Sequence, residues 1–75
     1  MVASRIEEDK AYAELTAAIN EETRILREMD DILQASEDRE EAEKLILKTH
    51  APLMDAAMKK TREAQDKWIA ILKKL

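Results

Sequence analysis

Tyr12, Leu15, Ile19, Leu26, Met29 and Leu33 are separated by three, four, seven, three and four residues. That spacing places them on one stripe of an α-helix, which Ile25 and Ile32 widen. Ser4 followed by Glu7 has the form of a capping box, and Glu7, Glu8 and Asp9 suit the positive end of the helix dipole. The pattern predicts a helix over about 4–34. The stripe lapses in QASEDREE, residues 34–41, where every inward slot is polar or small. A turn near 35–37 is expected there, with Asp38, or Ser36 in competition, capping a second helix from about 38.

Leu47, His50, Met54, Ala57, Thr61, Ala64, Trp68, Ile71 and Leu75 then alternate three and four residues apart without a slip. This is a heptad stripe, and Pro52 lies inside its span but off its line. Continuity of phase favours one helix over 38–75, kinked at Pro52, which cannot donate to the Lys48 carbonyl. The expected fold is therefore an all-α antiparallel hairpin (4–34 and 38–75) whose copies pair into a four-helix bundle. The alternative makes Thr49 a cap and Pro52 a first-turn residue, giving a compact three-helix bundle (4–34, 37–49, 51–75).

Composition sharpens this picture. The 75 residues contain no glycine, no cysteine and one proline, whereas an average domain of this length has about five glycines. One helical domain over 1–75 follows, near the lower size limit for a self-sufficient core. The scarcity of loop residues leans towards an engineered helical protein rather than a natural fragment. Without cysteine there is no disulfide, thiolate metal site or thiol nucleophile. Neither a signal peptide nor a transmembrane run is expected, so the assignment is a cytoplasmic protein or one of unknown location.

Charge is divided along the chain. Residues 1–43 hold five basic and fourteen acidic side chains, a net of −9, and residues 44–75 hold eight and three, a net of +5. An overall acidic chain argues against nucleic acid as partner. In the hairpin, Glu7, Glu8 and Asp9 are expected to meet Lys67, Lys73 and Lys74. Glu14 would meet Lys59, Lys60 and Arg62; Glu28, Asp30 and Asp31 would meet Lys44 and Lys48. Ile25, Ile32, Leu45, Leu53, Met58, Ile69 and Leu72 fall beside the primary stripes, and an exposed apolar strip of that kind asks for a partner. A homodimer is expected.

Candidate chemistry is sparse. His50 has only Ile46, Leu47, Leu53 and Met54 as helical neighbours, so neither H-x-x-x-H nor E-x-x-H exists, and it is read as a structural or interfacial residue. The acidic runs read as solvated faces. With no glycine there is no phosphate-cradling loop or nucleophile elbow. No catalytic, cofactor or metal residues are assigned, and the chain is read as a non-enzymatic helical protein-interaction module. Two stretches offer other interaction faces. The basic amphipathic end, with Trp68, Ile71, Leu72 and Leu75 beside Lys67, Lys73 and Lys74, has the form of a membrane-surface or calmodulin-type helix. Trp68 and Ile71 nevertheless continue the heptad core, so the core reading is preferred and a membrane is not the expected partner. In LREMDDIL, residues 26–33, Leu26, Met29, Asp31 and Leu33 occupy the positions of the death-motif (BH3) helix. This eight-residue stretch resembles that of Bcl-2-family ligands, a resemblance implying a helix-in-groove ligand. Glu22 and Asp30 depart from the motif's apolar and small positions.

Overall fold

The computed structural model describes residues 4–75, and among them the only regular elements are three helices that pack together: α1 (Arg5–Ala35), α2 (Arg39–Thr49) and α3 (Ala51–Leu72). The ends form for local reasons. The Ser4 hydroxyl accepts the Glu7 N–H at 3.2 Å, which satisfies one orphan donor of α1. Ser36 leaves the helix with extended backbone and donates its hydroxyl to the Asp38 carbonyl. Asp38 then caps α2, its carboxylate accepting the N–H groups of Glu40 at 3.0 Å and Glu41 at 3.4 Å. A chain without glycine thus reverses direction through two side-chain hydrogen-bonding residues.

The single second helix expected over 38–75 is replaced by two. His50 sits between α2 and α3 with φ −102° and ψ −30°. Its N–H still donates to the Ile46 carbonyl, and its own carbonyl accepts from Met54, both at 2.8 Å. Pro52, in the first turn of α3, has no N–H for Lys48, and its ring crowds that carbonyl. The segmentation therefore follows the three-helix alternative, and α3 ends at Leu72 rather than running to Leu75.

Contacts fix the course of the helices. Ile32 and Ala35 share a groove with Ala42 and Leu45, His50 reaches Glu28, Thr61 reaches Glu22, Lys67 reaches Glu14, and Trp68 reaches Glu8. Both α2 and α3 thus run antiparallel to α1, one after the other along its length. The molecule measures 57 × 15 × 12 Å with a radius of gyration of 16.8 Å, against about 11 Å for a compact chain of this size. It is a rod two helices across.

The buried side chains are Ala11, Leu15, Ala18, Ile25, Ala42, Ile46 and Ala57. On α3 the packed line is the one expected from Met54 to Ile71, with Ala57 buried and Met54, Thr61, Ala64, Trp68 and Ile71 half-buried. On α1 the packed face is turned by about one residue from the expected stripe. It runs Ala11, Leu15, Ala18, Glu22, Ile25, Met29 and Ile32, while Tyr12, Ile19 and Leu26 are exposed. Alanines at 11 and 18 of α1 and at 57 and 64 of α3 leave room for the two helices to approach closely along this seam. Ile25, expected beside the seam, is 2% exposed. Leu47, expected on it, is 68% exposed, and α2 buries Ala42 and Ile46, one position to the side of the expected line.

Candidate functional site

The two long edges of the α1–α3 pair are chemically opposite. Residues that directly precede packed positions lie on one edge: Glu14, Ala17 and Glu21 from α1, with Lys60, Glu63 and Lys67 from α3, line a single open groove. Glu14 accepts from Lys67 at 3.1 Å. Arg24 ion-pairs with Glu21 and, at 2.8 Å, with Glu28. The hydrogen bond from Arg24 holds the Glu21 carboxyl below its usual range against a smaller opposing effect of desolvation, and the charges of Arg24 and Lys60 add to the lowering. The same pairing holds the Arg24 guanidinium above its ordinary value. These pairs are exposed and screened by solvent, and Lys67–Glu14 is the one among them that joins α3 to α1.

The expected charge partners are corrected accordingly. Glu14 meets Lys67, not Lys59, Lys60 or Arg62; Glu28 meets Arg24 and His50, not Lys44 or Lys48; and Glu8 accepts from the Trp68 indole N–H at 3.0 Å.

In antiparallel helices a one-residue step forward turns both side chains to the same side of the pair. Since the preceding residues share the charged groove, the residues that follow packed positions share the opposite edge. These are Tyr12, Ile19 and Leu26 on α1, after Ala11, Ala18 and Ile25. On α3 they are Met58, Ile69 and Leu72, after Ala57, Trp68 and Ile71. All six are exposed.

On α1 this edge is a complete second seam: Tyr12, Thr16, Ile19, Thr23 and Leu26 recur four and three residues apart. Its two threonines are already satisfied, since the Thr16 hydroxyl donates to the Tyr12 carbonyl at 3.0 Å and the Thr23 hydroxyl to the Ile19 carbonyl at 3.1 Å. Covering this seam leaves neither hydroxyl without a partner. The matching line on α3 is mixed: Asp55, Met58, Arg62, Gln65, Ile69 and Leu72. Among the described residues, none of its three polar members is in an ion pair or side-chain hydrogen bond within the chain.

The residues singled out from sequence do not form one face. Leu26 and Asp31 are exposed, Leu33 is half-buried, and Met29 lies half-buried on the packed line. Trp68 and Ile71 are half-buried in the α1–α3 seam, with the Trp68 ring 5.5 Å from Tyr12 at a 53° tilt. Leu72 and Leu75 are exposed. His50 finds a companion that its own helix lacks: Nε2 is 3.3 Å from the Glu28 carboxylate, and Nδ1 is 2.7 Å from the Thr49 hydroxyl. Among the described residues no three His, Cys, Asp or Glu side chains form a group able to hold a metal ion, and no helix is long and apolar enough to cross a membrane. Thr16 and Thr23 were the signal that hydropathy alone passes over, because only the i−4 hydrogen bonds turn them into seam residues. Neither a protein-family model, nor a curated protein, nor a solved structure matches this chain.

Proposed function

We propose that this chain is a non-enzymatic helical interaction module that self-associates. Two copies set their Tyr12–Leu26 edges together, giving a bundle four helices across in place of a rod two across. The observation that carries this reading is the amount of surface left uncovered. The chain exposes 5985 Å², whereas a compact monomer of 8.6 kDa exposes about 4,700 Å². The excess, about 1,300 Å², exceeds the roughly 800 Å² that each partner contributes to a standard interface. Among the described residues, Leu15, Ile25 and Ile46 are the large apolar side chains that are buried, against eleven large ones that are exposed. Covering a few of the latter removes apolar surface from water, which supplies the driving force for association.

Light scattering at micromolar concentration tests the reading. The wild-type chain is expected at twice 8.6 kDa, and Ile19→Glu, at an exposed site, is expected to return it to a folded monomer with unchanged helicity. A wild-type monomer at that concentration overturns the proposal.

A further inference from the structure

The packed face of α1 keeps its phase beyond the end of α1. Ala11, Ala18, Ile25, Ile32, Arg39 and Ile46 stand at seven-residue steps, and Met29 and His50 stand three such steps apart. Ile25 and Ile46 are buried, and Met29, Ile32 and His50 are half-buried. The chain reverses between Ile32 and Ile46, and a reversal imposes no helical phase on the segment that follows it. The shared phase is the one that a single unbroken helix needs in order to bury both segments on one side.

We infer that the turn at residues 36–38 is a hinge. Made helical, it joins α1 and α2 into one helix from Arg5 to Thr49, and two chains then exchange α2 and α3, each laying them along α1 of the other. The exchanged dimer is a rod two helices across and roughly twice the 57 Å of one copy. It uses the inner seam and not the Tyr12–Leu26 edge, so it goes beyond the association proposed above and does not depend on it.

The turn suits either course. No glycine or proline lies between Arg5 and Thr49, and among the described residues none has a positive φ. Ser36 and Asp38 are extended, and a rotation chiefly of ψ brings each to the helical region. The reversal rests on the Ser36 hydroxyl bond to the Asp38 carbonyl and on the Asp38 cap. Opening gives these up and gains the backbone hydrogen bonds of a continuous helix. The contacts of Glu28 with His50, Glu22 with Thr61, Glu14 with Lys67 and Glu8 with Trp68 re-form between chains.

One residue opposes the exchange. Glu28 and His50, which meet at 3.3 Å, lie eleven positions before and after Arg39. The exchanged dimer therefore has Arg39 of both chains at its two-fold axis, and like charge there favours the closed chain. Glu43 of the same helix, 3.2 Å from each Arg39, offsets part of that repulsion.

An Ala18→Cys/Ala64→Cys chain tests the exchange, because the two alanines line one groove from opposite helices and the chain has no other cysteine. It is unfolded, refolded, and oxidised only after refolding. Refolding at micromolar concentration is expected to give a disulfide within one chain. Refolding at millimolar concentration is expected to give a covalent dimer whose peptide map joins position 18 to position 64. Adding Arg39→Leu places an apolar side chain at the two-fold axis and should raise the share of that dimer about tenfold. Two glycines inserted after Glu37 should abolish it by breaking the joined helix. X-ray scattering from the wild-type chain refolded at millimolar concentration gives a second readout. Exchange predicts a longest dimension near twice 57 Å, whereas copies laid edge to edge stay near the length of one. Disulfides within single chains only, at millimolar concentration and with Arg39→Leu present, overturn the exchange and leave edge-to-edge association standing.

Discussion

At the scale of single residues, neighbouring side chains of the same chemistry have opposite fates. Ile25 is 2% exposed in the middle of the α1–α3 seam, and Leu26 beside it is 55% exposed. Ile25→Ala should cost about 2–4 kcal/mol in chemical denaturation, because its neighbours cannot collapse into the space it leaves. Leu47→Ala should fall within about 0.5 kcal/mol, since Leu47 touches little. Equal costs at the two sites would mean that the face of α1 is assigned wrongly. Hydropathy alone could not separate Ile25 from Leu26. The alanines that mark the inner line, Ala11 and Ala18, are as compatible with water as with a core. Glu22 breaks that line on paper, yet is accommodated because its carboxylate takes the Thr61 hydroxyl across the seam. His50 meeting Glu28 was equally hidden, because the pair spans two helices and depends on their rotation.

At the scale of elements, the caps were the most legible features. Ser4 and Asp38 each have a side-chain oxygen at the right distance along the chain to take a free N–H, and both do so. The line from Met54 to Ile71 was readable for a different reason, since its three-four alternation admits one helical face only. Pro52 was ambiguous. A missing N–H can either bend one helix or begin another, and the choice rests on the backbone of His50, two residues upstream. Pro52→Ala restores a donor within reach of the Lys48 carbonyl. Hydrogen exchange should then show new amide protection across 51–53, with stability raised by about 1 kcal/mol. If those amides stay as open as before, the interruption belongs to His50 and not to the proline.

At the scale of the whole molecule, the antiparallel course was foreshadowed by the division of charge, though individual partners were not. Net charge on each half says which halves attract, whereas the one-residue rotation of α1 decides that Lys67 reaches Glu14 and that Arg24 keeps Glu21 and Glu28. The open apolar edge has the same origin. Turning Ala11 and Ala18 inward turns Tyr12, Ile19 and Leu26 outward, so the fit of the two-helix rod and its unfinished surface are one geometric fact.

Trp68 lies near the end of the rod opposite the Ser36–Asp38 turn, its indole tied to Glu8 and its ring against Tyr12. It is the sole tryptophan of the chain, so its fluorescence works as a built-in gauge of how far the free ends have unzipped. On gentle warming, the emission should shift to the red before circular dichroism records loss of helix, because that end can fray while the turn still holds the other. Simultaneous change in both signals would instead describe a rod that opens everywhere at once.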